Sequence, residues 1–174
     1  MRPRLFHVSE DDSLQRFEPR PVPSPDAGVE GLAVWAVAES HLVNYLFPRD
    51  CPRICFRAGP GTSTSDRARF LGSAERIVAF ESAWLARVES TELTLYDMPA
   101  EAFEKANPEA GYWISRSAVT PSGKRKVRHL MSRLLEAGVE VRILQDFWPL
   151  ADAVAQSTLR FSIIRKRNAR PRYS

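Results

Sequence analysis

A chain of 174 residues with 44% hydrophobic and 26% charged residues has the make-up of one globular domain, not of a disordered segment. No apolar run approaches the roughly 20 residues needed to cross a bilayer, and two cysteines are too few for a disulfide scaffold. The net charge of +4 is local: without Arg165, Lys166, Arg167, Arg170 and Arg172 the 25 basic residues fall to 20 against 21 acids, which excludes a basic face spread over the whole fold.

The pattern predicts a first strand over 4–8, with His7 near its end, then a turn or helix start over 9–13 whose side chains can cap. Phe17 is expected to anchor this segment. Four prolines and two glycines over 18–31 argue against regular structure, and a loop of that length is suited to covering a site. Residues 32–37, Leu-Ala-Val-Trp-Ala-Val, are apolar at every position, so the strand they form needs cover on both faces and belongs near the middle of a sheet. Helical spacing over 41–47 and a strand over 53–56 follow.

Hydroxyl residues at 62–65 suit the cap of a helix over 66–71, with Gly72 as its stop. A strand over 76–80, one or two helical turns over 82–88, and an alternating strand over 92–97 with one wetter face come next. Pro99 opens a predicted short helix through Ala106, 107–111 turns the chain, and 112–115 is a strand rich in β-formers. Val127, Leu130, Met131, Leu134 and Leu135 have helical spacing, which predicts the clearest helix over 124–137, with Gly138 as its stop. A strand over 139–144, a helix from Pro149 to Gln156 and a strand over 159–164 complete the chain. The sum is an α+β domain over 1–165: one mixed, mostly antiparallel sheet of seven or eight short strands with four or five short helices. A basic tail over 166–174 follows. With no signal peptide in Met1-Arg2-Pro3-Arg4-Leu5, a cytoplasmic protein with no membrane partner is expected.

Candidate chemistry is sparse. No dinucleotide-binding glycine motif, Walker loop or nucleophile elbow is present, and the three histidines lack metal-ligand spacing. His7, beside Ser9 and Glu10, can bond a ligand hydroxyl or serve as a structural histidine with its bonds satisfied. Trp35, with small neighbours, can stack on a planar ring or fill the core. Tyr112 and Trp113 point to opposite faces of their strand, one toward core and one toward pocket. Arg49 and Arg53 flank a rigid loop that can hold a phosphate or pair with acids. Cys51, between those arginines, can be a reactive thiol if exposed; two reduced, partly buried thiols are the plainer alternative. The basic tail, with Lys124, Arg125, Lys126 and Arg128, can contact RNA as a mobile arm or be a solvated end.

The motifs Leu5-Phe6-His7-Val8-Ser9-Glu10, Val34-Trp35-Ala36-Val37, Phe47-Pro48-Arg49-Asp50-Cys51-Pro52-Arg53, Gly111-Tyr112-Trp113-Ile114-Ser115, Trp148-Pro149-Leu150 and Ser157 through Arg165 resemble an uncharacterised bacterial family of domains of unknown function, nearly end to end. More distantly, the order of elements is similar to the ADP-ribosyltransferase-like fold. That resemblance implies an NAD-dependent transferase, or an RNA 2′-phosphotransferase relative, with NAD as cofactor. It implies His7 on a ribose and Trp35 near nicotinamide. Ser9, Arg49 and Tyr112 would be further cofactor contacts. The third strand of such enzymes supplies an acid; residues 112–115 contain none, which leaves Glu109 before the strand and Ser115 at its end to stand in. A non-catalytic binding domain, or an RNA-binding module using the tail, is the alternative.

Overall fold

The computed structural model describes residues 2–21, 29–107 and 111–172. Its contacts divide into two compact units, residues 1–46 with 92–128 and residues 47–91 with 129–174. The mixed α+β character and the predominance of antiparallel pairing follow the expectation. The strands number eleven among the described residues, and they fall into two sheets where one was expected.

The first unit is built on β1 (Leu5–Ser9), β2 (Arg20–Pro21), β3 (Leu32–Ala38), β6 (Leu93–Met98), β7 (Glu104–Asn107), β8 (Tyr112–Ser115) and β9 (Gly123–Val127). The order is β7-β8-β3-β1-β6-β9, with β2 added to β3, and every pairing is antiparallel. The all-apolar β3 is interior, as its composition requires. On one face Val34, Ala36 and Ala38 join Leu5, Tyr96 and Met98, capped by Phe17, Phe103 and Val119. Phe17 and Val119 exchange two backbone hydrogen bonds of 2.8 and 2.9 Å, which hold this lid to itself. The opposite face carries Phe6, Trp35, Val37 and Tyr112 by strand alternation.

The second unit has β4 (Arg53–Arg57), β5 (Arg76–Glu81), β10 (Val139–Leu144) and β11 (Arg160–Ile164) in the order β10-β5-β4-β11, with only β10 and β5 parallel. Its core packs Ile54, Phe56, Ile77 and Ala79 against Phe70, Leu71, Phe147, Ala151 and Val154. Phe70 and Leu71 come from the wider turn over Arg67–Leu71 that continues α1 (Thr64–Asp66), Ala151 and Val154 come from α4 (Trp148–Ala155), and Phe147 immediately precedes α4. Gly72, at φ +57°, ends the wide turn by donating to the Arg67 carbonyl. The remaining helices of this unit are α2 (Leu85–Ser90) and α3 (Leu130–Glu136).

Several expectations are corrected. Residues 124–137 are not one helix: Gly123–Val127 pairs with β6 as β9, His129 turns left-handed at φ 56°, and only Leu130–Glu136 is helical. The run 99–106 gives a single 3-10 turn at Ala100–Ala102 before β7. Helical residues do follow β3, as a 3-10 segment over Glu39–Tyr45. In β6 there is no wetter side, since Thr94 is as buried as its apolar neighbours. Within 18–31, Arg20–Pro21 does pair with β3; Pro21 is tolerated there because it sits on a short edge strand. The basic residues 166–172 are not a free arm: the Arg170 amide donates to buried Glu81, Trp148 Nε1 donates to the Arg170 carbonyl at 2.8 Å, and Arg172 grips Asp152 through two bonds of 2.6 and 2.8 Å.

Tyr96 ties the 10–17 segment to the sheet. Its hydroxyl donates to the Asp11 carbonyl at 2.8 Å and accepts from the Leu14 amide at 3.2 Å, while its ring meets Phe17 edge-on at 5.1 Å. Tyr96→Phe keeps the ring and strands two backbone groups, so it is expected to cost about 1–2 kcal/mol. The check is a lower urea midpoint than wild type with an unchanged slope.

Candidate functional site

Strand parity decides which residues can meet. In β1, Leu5 and His7 share a face, and Phe6 takes the other; in β3, the even positions share the face of Leu5. His7 therefore lies on the Phe17 side, its ring 4.6 Å from that phenyl ring. Trp35 and Tyr112 lie on the opposite face, where their rings meet edge-on at 5.4 Å. Trp113 packs with the Leu5 core, so Tyr112 is the member of the pair away from it.

His7 is joined to Trp35 through the backbone alone. β2 pairs with Leu32 and Ala33, and β1 pairs with Val37 and Ala38. Between them the Trp35 carbonyl is met by His7 Nδ1 at 2.8 Å. A carbonyl only accepts, so Nδ1 carries the proton in this bond. The imidazole thus supplies the donor that a strand amide would otherwise give.

On the Trp35 face, Tyr45 approaches Tyr112 with ring centres 6.0 Å apart. His41 lies against Gly111, where an added Cβ would come within 2.4 Å of the imidazole; Gly111 also has φ +72°. Glycine is required there on both counts. Trp35 Nε1 is buried and has no hydrogen-bond partner among the described residues. A buried indole N–H normally finds an acceptor. This half-buried set of three aromatic rings with an unsatisfied donor is suited to a flat, acceptor-bearing ligand.

The other candidates are dispersed. Ser115 is on the His7 face, but its hydroxyl is engaged with the backbone of Ser117, donating at 3.0 Å and accepting at 3.3 Å. Ser9 Oγ accepts the Asp11 amide at 3.1 Å. Glu109 lies outside the described residues. Arg49 belongs to the second unit, its carbonyl accepting from Arg165 Nε at 3.2 Å. Cys51 and Cys55 are both buried free thiols, and burial pushes each up to about 12. Cys51 is therefore no thiolate nucleophile, despite the buried guanidinium of Arg53 bonded to its carbonyl at 2.8 Å. Among the described residues no group of histidine, cysteine and carboxylate side chains can hold a metal.

The basic cluster of β9 is spoken for. Lys126 bridges Asp12 and Glu92 at 2.9 and 2.8 Å, Arg128 bonds Glu92, and Arg125 reaches Asp97 at 3.3 Å. Arg128 first, then Lys126, holds Glu92 down at about 2. Sequence reasoning missed this because it read 124–128 as helical. It also passed over Tyr45 and Gly111, although the Gly111-Tyr112 step carried the signal.

A family model described as a family of unknown function, DUF6886, matches residues 6–169. The chain belongs to this family. No curated protein and no solved structure matches it. Among the described residues no helix is long and apolar enough to cross a membrane.

Two predictions follow from this geometry. His7→Ala removes the donor to the Trp35 carbonyl and is expected to cost about 1 kcal/mol; His7→Asn, whose amide nitrogen can take the place of Nδ1, should recover part of it. Equal urea midpoints for the two variants would contradict the bond's role. For Glu92, a carboxylate held below its usual 4.5 stabilises the fold above that pH and loses its contribution as pH falls toward 2. The difference in thermal midpoint between wild type and Glu92→Gln should therefore be positive at pH 6 and shrink steadily between pH 4.5 and 2.

Proposed function

We propose that the chain is a ligand-binding domain that takes the flat ring of a nucleotide, of the NAD or ADP-ribose class, against Trp35, Tyr45 and Tyr112, and that it binds without group transfer. The observation that carries the reading is the buried Trp35 Nε1 with no partner among the described residues, beside two tyrosine rings. A purine or nicotinamide carboxamide offers an acceptor to that N–H and a π-face to the rings. The resemblance of Phe6-His7 and Val34-Trp35-Ala36 to strands of the ADP-ribosyltransferase-like fold supports the choice of NAD over other flat ligands. Placement of His7 on the other face of the sheet, bonded to a carbonyl, supports binding over transfer.

Isothermal titration with NAD and with ADP-ribose tests this directly. Binding in the micromolar to millimolar range is expected for one of them. Trp35→Phe, which keeps a ring and removes the N–H, should weaken it about tenfold, and His7→Asn should leave it within about twofold. Absence of heat from both ligands with folded protein overturns the reading, as does an undiminished affinity in Trp35→Phe. Label transferred from NAD to a protein or RNA acceptor, and lost in His7→Ala, overturns the part that excludes transfer.

A further inference from the structure

The second unit holds an arrangement that the aromatic face does not explain. Arg57, at the end of β4, and Arg76, at the start of β5, stand directly opposite each other in register. Residues so paired share a face, with Cβ atoms about 4.5–5.5 Å apart, and like charges in that position repel. Arg160 on β11 is the register partner of Arg57 on its other side, so one transverse row of this small sheet carries three arginines. Arg67, on the wide turn after α1, joins Arg57 and Arg76 in lining an open groove of about 450 Å³.

Ala58, Ala137 and Gly138 form the uncharged wall of the groove, and Glu75 is its one acid. Three arginines against one glutamate leave +2 on the lining. Among the described residues no ion pair joins Glu75 to Arg57 or Arg67, and neither of these guanidiniums has any carboxylate partner. The contrast with other arginines is sharp: Arg133, Arg142 and Arg172 of the same unit pair with Glu136, Glu140 and Asp152. The Arg76 guanidinium is half-buried, and both that burial and the facing Arg57 charge act against its protonated form. Arg57 and Arg67 thus leave two guanidinium forks beside the groove with no carboxylate partner among the described residues, and Arg57 also faces a like charge across the ladder.

We propose that this groove binds a phosphate group borne by a small molecule, with Arg57, Arg67 and Arg76 as its ligands. Guanidinium forks match phosphate oxygens two at a time, and three forks offer more donors than a carboxylate has oxygens to accept. The volume lies in the range of small-ligand sites, about 300–1,000 Å³, so it takes a phosphate with a compact organic part. The site is separate from the aromatic face and stands or falls apart from it.

The test uses the full chain with inorganic phosphate and with glucose 6-phosphate, neither of which carries a base for the aromatic rings. Titration calorimetry should show binding of at least one. Equal affinities identify free phosphate as the occupant, and a tighter ester identifies a phosphorylated metabolite; both support the site. Arg57→Gln and Arg67→Gln should each weaken binding about tenfold or more, while Arg125→Gln on β9 leaves it unchanged. Because it removes the like-charge pair, Arg57→Gln should also raise the thermal midpoint of the ligand-free protein, which shows that the variant is folded. The proposal is overturned if neither compound binds at millimolar concentration, or if both arginine variants bind as well as wild type. It is equally overturned if only a single-stranded RNA binds and phosphate does not compete.

Discussion

β3 cannot be an edge strand, and the first unit is arranged around that constraint. Side chains on both of its faces are apolar, so a partner strand on one side alone would leave backbone groups and a hydrophobic surface in water. β8 pairs with Val34 through Val37, and β1 pairs at Val37 and Ala38. The β1 pairing is short because β1 runs on along β6 for five residues, from Leu5 to Ser9. The departure opens a gap beside Trp35, and the His7 imidazole closes it. One side chain thereby does the work of a strand amide, and the residue that looks most catalytic in the sequence is tied into the ladder.

Charge is handled differently in the two units. In the first, cations and acids are interleaved: Arg4 pairs with Glu39 and lies within 3.5 Å of Asp97, Arg125 also meets Asp97, and Lys126 and Arg128 share Glu92. Arg4 and Arg125 additionally place their guanidiniums 5.1 and 4.9 Å from the centre of the Phe6 ring, so a fully buried phenyl ring organises two cations and one carboxylate. Such exposed pairs contribute little singly, and their value lies in being a network. In the second unit Arg160, Arg57 and Arg76 stand side by side in one transverse row, and Arg57 has no carboxylate partner among the described residues. Repulsion along a ladder is a cost to folding.

Much of the fold was legible, and the failures have physical causes. Strands with runs of β-branched or aromatic residues, such as β3, β5, β8 and β10, were found because burial and propensity agree there. Residues 124–137 misled because Leu130 and Leu134 do form a buried helical stripe; extending it back through Lys124 ignored that a polar run with a glycine at its start pairs as an edge strand just as well. The left-handed turn at His129 that separates the two has no sequence mark, since the residue is not glycine. The same limit applies to the candidate site. Trp35 and Tyr112 could be nominated from their types, but Tyr45 joins them only through the 3-10 geometry of Glu39–Tyr45. The acids that neutralise β9, Asp12 and Glu92, are set by β1–β6–β9 pairing and lie 114 and 34 positions before Lys126.

Parity is the last thing a single sequence conceals, and it bears most on chemistry. His7 and Trp35 are 28 residues apart and on adjacent strands, close enough to suggest one pocket. Whether they share a face depends on the register Leu5 with Ala38 and Phe6 with Val37, which no local pattern specifies. A slip by one residue would bring His7 to the Trp35 side. It would also exchange Leu5 with Phe6, taking Phe6 from the guanidiniums of Arg4 and Arg125 and putting its bulk into the packing around Tyr96 and Met98. Both residues are at most 2% exposed, so the exchange disturbs two cores at once. The observed register is the one that keeps both, and it separates the histidine from the aromatic rings by the thickness of the sheet. Chemistry that needs an imidazole and a stacked ring on the same substrate would have to work against the packing that holds β1 in place, whereas a site that only binds has no such conflict.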